Sequence, residues 1–191
     1  MKNPFIGIAG NIGVGKTTFT SILAKEFDLL EIYESVSDNP YLSDFYSDME
    51  RWSFNLQIYF LHHRFASIKN IKKTDKGVVQ DRTIYEDVNI FSKNLHDMGY
   101  MDKRDWKTYN DLFKNMTYFL VKPDLIVYLK ADLDVLLERI NTRKRDYEST
   151  IDSDYLAKLN ELYDKWIDSI DWTRVIVVDT NNFNVLRIKK N

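Results

Sequence analysis

The 191 residues are 44% hydrophobic and 29% charged, ordinary proportions for one globular domain (1–191) with a full core. A formal net charge of −2 supplies no general basic field, so broad nucleic-acid binding is disfavoured and anionic ligands must be held by local groups. With no cysteine there can be no disulfide, thiolate nucleophile or cysteine-based zinc site, and charged residues break every apolar run, so a cytoplasmic chain without membrane contact is expected.

Taken in chain order, Phe5-Ile6-Gly7-Ile8-Ala9 reads as a short buried strand, with a helix behind it over 17–27. A second strand is expected over 29–33. The long helix over 51–73 carries Phe54, Ile58, Leu61, Phe65 and Ile68 at helical spacing. Residues 77–81 form a third strand candidate that ends on an acid, followed by helices over 84–96 and 103–120. A fourth strand over 125–129, helices over 133–143 and 153–170, and a fifth strand over 175–178 complete the series. Continuous apolar runs alternating with helices indicate an α/β fold: a five-stranded parallel sheet covered on both faces.

Between the first strand and the first helix stands Gly10-Asn11-Ile12-Gly13-Val14-Gly15-Lys16-Thr17, a complete P-loop, with Thr18 following. Its glycines let the backbone N–H groups turn toward phosphate. Lys16 adds a point charge, Thr17 can hold Mg²⁺, and the helix N-terminus contributes its dipole. Regulatory GTPases would also carry DxxG and NKxD motifs, which are absent here, leaving small-molecule kinases and ATPases.

Glu34 follows the second strand, and Asp81 and Arg82 end the third. Strand C-termini in an open parallel sheet point to one crevice, so both acids are candidates to act on an acceptor hydroxyl or to hold Mg²⁺. Arg139, Arg143 and Arg145 make the densest basic cluster and suit an arginine-bearing lid over about 139–150, although cations at a helix C-terminus are also common. Gln57, Phe60 and Arg64 share one face of the long helix, which suits either a pocket for a flat polar ring or an amphipathic boundary.

The chain resembles the deoxyribonucleoside kinases, and within them the bacterial deoxyadenosine/deoxycytidine kinases. The matching segments, in family order, are 10–18, 33–36, 39–42, Tyr46 with 50–57, 80–87, 124–129, 139–145 with Glu148, and 179–183. The resemblance implies ATP-dependent phosphorylation of a deoxyribonucleoside 5′-hydroxyl. By the same resemblance Glu34 takes the hydroxyl proton, helped by Arg82, while Asp81 organises Mg²⁺; the base role is alternatively given to Asp81. Tyr46 and Glu148 hold the 3′-hydroxyl, Gln57 reads the base edge, and Arg64 pairs with Asp87 above it. Arg139, Arg143 and Arg145 form the lid, and Asn182 and Phe183 line the adenine of ATP. A homodimer through the helices near 51–73 and 103–120 is also implied. Several relatives carry Glu where this chain has Asp81. His62, His63 and His96 match no motif and are expected at the surface or in packing.

Overall fold

The computed structural model describes residues 3–33, 39–71, 73–143 and 151–182. Strands β1 (Phe5–Ala9), β2 (Leu30–Ile32), β3 (Val78–Asp81), β4 (Leu125–Lys130) and β5 (Arg174–Asp179) form one parallel sheet in the order β2-β3-β1-β4-β5. The central strand is apolar on both sides because both sides are covered. Phe5, Ala9, Val78, Ile126 and Tyr128 enter one core cluster, while Ile8, Val79, Val127 and Leu129 enter the other.

The helices are α1 (Lys16–Glu26), α2 (Leu42–Ser47), α3 (Met49–Ile71), α4 (Ile84–Glu86), α5 (Lys93–Asp97), α6 (Lys103–Thr117), α7 (Leu133–Arg143) and α8 (Ser153–Asp168). Ala24 of α1 and Leu136 of α7 fill the second cluster; Leu56, Leu61 and Ile68 of α3 and Leu156, Leu159 and Tyr163 of α8 fill the first. Among the described residues no helix is long and apolar enough to cross a membrane.

Two features depart from the expected elements. Short α2 is new, seated by buried Leu42 and Phe45 three positions apart. The expected helix over 84–96 is instead α4, a π-helical turn over Asp87–Ser92, and α5. A π turn inserts one extra residue per hydrogen-bonded ring and re-aims its side chains, a distortion frequent at functional sites.

Sheet register sets the site. Ile8 pairs with Asp81 and with Val127, so the P-loop leaves β1 beside the acid that closes β3. Gly7 is required at this crossing, because a Cβ there would stand 2.4 Å from Thr83 Cγ2.

Candidate active site

The P-loop follows from its glycines. Gly10, Gly13 and Gly15 have φ of 147°, 87° and 101°, and a Cβ on Gly13 would meet Ile140 Cγ1 at 2.8 Å. The loop ends in α1, whose first residue is Lys16. Lys16 is buried and its Nζ donates to Asn11 O at 2.9 Å, arching over the loop. Asn11 is fixed in turn by α8: its Nδ2 donates to Leu156 O at 3.0 Å and to Asn160 Oδ1 at 2.7 Å. Asn160 then donates to Ala131 O at the end of β4.

Thr17 Oγ1 donates to Asp81 Oδ2 at 2.6 Å, while the buried Asp81 Oδ1 has no hydrogen-bond partner. A hydroxyl beside a carboxylate with one uncommitted oxygen fits Mg²⁺, which takes one or two carboxylates and fills its other positions with water and phosphate oxygens. The described residues hold no cluster of three or more His, Asp or Glu suited to an all-protein metal cage, and Mg²⁺ with a nucleotide needs none.

Arg82 follows in the left-handed region, at φ 66°. Such strain in a non-glycine persists where its surroundings over-determine it. Here the Arg82 N–H donates to Ile8 O at 3.0 Å, and its carbonyl accepts from Arg64 Nη1 at 3.1 Å. The guanidinium lies 4.0 Å over the Phe91 ring. Arg64 Nε donates to Asp87 Oδ2 at 2.5 Å, and both side chains are buried. Gln57, also buried, accepts through Oε1 from Ser92 Oγ at 2.9 Å. Tyr46 stands on α2 edge-on to Phe45.

The structure therefore brings Lys16, Thr17, Asp81, Arg82, Arg64, Asp87 and Gln57 into one contiguous region. Glu34, Arg145, Glu148 and Phe183 lie outside the described residues. Arg139 and Arg143 belong to α7, so the segment expected as a lid starts inside a helix. Arg139 Nη1 donates to Val14 O at 3.4 Å and Thr180 Oγ1 at 3.2 Å, and its Nη2 donates to Thr180 O at 2.5 Å. It joins the P-loop to the end of β5, where Asn182 follows in an exposed turn.

A match to the deoxynucleoside kinase family model runs over residues 6–191. The chain is 43% identical to a deoxyadenosine/deoxycytidine kinase of Bacillus subtilis, over 97% of this chain and 86% of that one. It is 38% identical to a deoxyguanosine kinase of Lactobacillus acidophilus, over 95% and 82%. A solved deoxyadenosine kinase from M. mycoides, with products dCMP and a flexible dCDP bound, superposes with a TM-score of 0.87 at 30% identity, covering 96% and 93% of the two chains. The chain belongs to the deoxynucleoside kinase family.

Three residues of this kinase carry site contacts that sequence reasoning did not assign. Glu86 is fully buried. Its Oε2 accepts from Gly10 N at 3.3 Å and Tyr163 Oη at 2.8 Å, and its Oε1 from Thr83 N at 2.8 Å. Burial raises its pKa, against the pull of the Arg82 and Lys16 cations and the Thr83 N–H. Asn160 anchors the P-loop, and Ser92 orients Gln57. An acid one turn into the helix after β3 was a visible signal for Glu86; the other two contacts are purely tertiary. His96 packs flat on Trp106, with centroids 5.3 Å apart, as expected for a packing residue.

Proposed function

We propose that this deoxynucleoside kinase, acting in the cytoplasm, transfers the γ-phosphoryl of ATP to deoxyadenosine and deoxycytidine in preference to deoxyguanosine and thymidine. The observation that carries this reading is the unbroken run of contacts from Thr17 to Asp81, through the adjoining Arg82 to Arg64, and on to Asp87. It connects the P-loop to the buried polar side chains of Arg64 and Asp87. In this reading Glu34 takes the 5′-hydroxyl proton, Arg82 steadies the developing charge, and Tyr46 and Glu148 hold the 3′-hydroxyl. Thr17 and Asp81 would hold Mg²⁺, which would supply positive charge against the phosphates. The backbone of Gly10, Asn11, Ile12, Gly13, Val14 and Gly15 cradles the phosphates with Lys16, Thr17 and Thr18. Arg139, Arg143 and Arg145 close over them, and Asn182 and Phe183 border the adenine.

The base preference follows from acceptor chemistry. A carboxylate only accepts, so Asp87 near the exocyclic group favours an amino substituent and repels an oxo oxygen, while Arg64, donating to its Oδ2, aims it. Competition between equimolar deoxynucleosides tests this: deoxyadenosine and deoxycytidine should be consumed first, and deoxyguanosine or thymidine winning would overturn it. A homodimer through α3 and α6 is part of the proposal, supported by the exposed Leu112, Tyr118 and Phe119 at the C-terminal end of α6. Light scattering after gel filtration should give twice the chain mass; a monomeric mass refutes the dimer.

A further inference from the structure

The nitrogen and oxygen of a carboxamide are alike in shape, so an asparagine holds its neighbours in one sense only where groups of unambiguous chemistry surround it. Asn11 and Asn160 meet that condition. Asn160 Nδ2 donates to Ala131 O at 3.1 Å, and a backbone carbonyl can only accept. Asn160 Oδ1 is thereby turned toward Asn11, whose Nδ2 donates to it at 2.7 Å and to another carbonyl, Leu156 O, at 3.0 Å. Asn11 Oδ1 is left to accept from Ile12 N, which can only donate, at 2.8 Å. A backbone group at the outer end of each amide therefore fixes its orientation, and the chain from Ala131 to Ile12 closes in one direction.

What this chain fixes is the peptide between Asn11 and Ile12. Its N–H is taken by the Asn11 side chain, and its carbonyl accepts from Lys16 Nζ at 2.9 Å. A lysine ammonium is a point charge on a flexible stem, so the carbonyl it rests on decides where the loop's cation stands. The Gly10 N–H is likewise engaged inside the protein, by Glu86 Oε2, to which Tyr163 Oη also donates. Leu156, Asn160 and Tyr163 fall at i, i+4 and i+7 of α8, so one face of that helix holds the first two residues of the P-loop.

We propose that Asn160 is a positioning residue for phosphate binding: acting through Asn11, it sets the peptide between Asn11 and Ile12 and with it the place of the Lys16 ammonium. The inference rests on the reading that this loop holds the phosphates of ATP, and the experiment separates the two.

The measurement is Kd by calorimetry for ATP alone and for deoxyadenosine alone, in wild type, Asn160→Leu, Asn160→Asp and Asp164→Asn, with a thermal melt of each. Leucine keeps the shape of asparagine without donor or acceptor, whereas aspartate keeps an acceptor for Asn11 Nδ2. Asp164 is the control on the same helix: it accepts from Tyr128 Oη at 3.1 Å and Lys130 Nζ at 2.8 Å on β4, away from the loop. Asn160→Leu should weaken ATP about tenfold and Asn160→Asp about threefold, the scale of one hydrogen bond lost or loosened. Deoxyadenosine, which has no phosphate, should stay within about twofold of wild type in every variant, as should ATP in Asp164→Asn. ATP bound by Asn160→Leu as by wild type overturns the inference alone. So does an equal loss for ATP and deoxyadenosine, or a loss of ATP affinity in Asp164→Asn as large as in Asn160→Leu, because either marks α8 as general packing. Should Asn160→Leu not fold, Asn160→Asp against Asp164→Asn decides by the same criteria. A folded wild type that binds no ATP overturns the phosphate reading and the inference with it.

Discussion

Replacing Asp87 with alanine should be among the costliest single changes in the molecule. Asp87 and Arg64 are 1% and 4% exposed, and Arg64 Nε reaches Asp87 Oδ2 at 2.5 Å. Removing one partner of a buried ion pair leaves the other charge desolvated without compensation, at a cost of about 3–5 kcal/mol. For a chain of this size that corresponds to a fall in Tm of roughly 6–20 °C. The same Arg64 donates to the carbonyl of Arg82, which is held at φ 66°, so loosening Arg64 also releases the strained residue next to Asp81. Activity should therefore fall on all deoxynucleosides, with the preference for amino-bearing bases eroded on top. Thermal and urea melts of Asp87→Ala and of the double variant Arg64→Met/Asp87→Leu provide the assay. The double variant buries no lone charge and should recover much of the loss. A cost below about 1 kcal/mol for Asp87→Ala, the range of an exposed pair, would refute the reasoning. So would a double variant no more stable than the single one.

Three further outcomes follow from the same geometry. Asp81→Asn keeps a partner for Thr17 but removes the charge, so the Mg²⁺ concentration for half-maximal rate should rise at least tenfold; an unchanged Mg²⁺ dependence would exclude Asp81 from the metal site. Glu86→Gln sets an amide NH₂ against donors at either Gly10 or Thr83, costing about 1–3 kcal/mol and raising KM for ATP. Because burial raises the Glu86 pKa, its contribution is complete below the usual value of 4.5 and is lost as pH rises through the raised one. The stability gap between wild type and Glu86→Gln should thus narrow as pH climbs above 4.5, and a constant gap would contradict the assignment. Gly7→Ala forces a Cβ to 2.4 Å from Thr83 Cγ2 and should destabilise by about 1–3 kcal/mol in urea titration; a neutral result would mean that the β1–Thr83 contact yields.

The sheet was legible because β1 and most of β4 and β5 are apolar runs, and β1 was unmistakable with a glycine-rich loop at its end. Short α2 escaped because six residues give too little periodicity, and its seat depends on packing against α3. The π-helical turn was invisible for a different reason. A one-residue widening leaves the pattern of Ile84, Val88 and Phe91 compatible with an α-helix, yet it governs where Asp87 and Ser92 point. Lys16, Thr17 and Asp81 could be read because motif and strand end fix them locally. Glu86 was visible only as an acid just after β3, because its contact with Gly10 comes from 76 residues away, and Asn160, which contacts Asn11 from 149 residues away, has no local signal at all. Arg139 was grouped with the lid by its proximity in sequence to Arg143, but its helical position turns it onto Val14 and Thr180.

The central claim is that the phosphoryl acceptor is a deoxynucleoside and not its monophosphate, with Gln57 and the Arg64–Asp87 pair proposed to face its base. The most direct measurement is ADP release from ATP and Mg²⁺ with deoxyadenosine or with deoxyadenosine monophosphate as sole acceptor, products being identified by chromatography. The account predicts rapid ADP release and a 5′-monophosphate product with the nucleoside, and background release with the monophosphate. Rapid turnover of the monophosphate to a diphosphate, with the nucleoside inert, would contradict it.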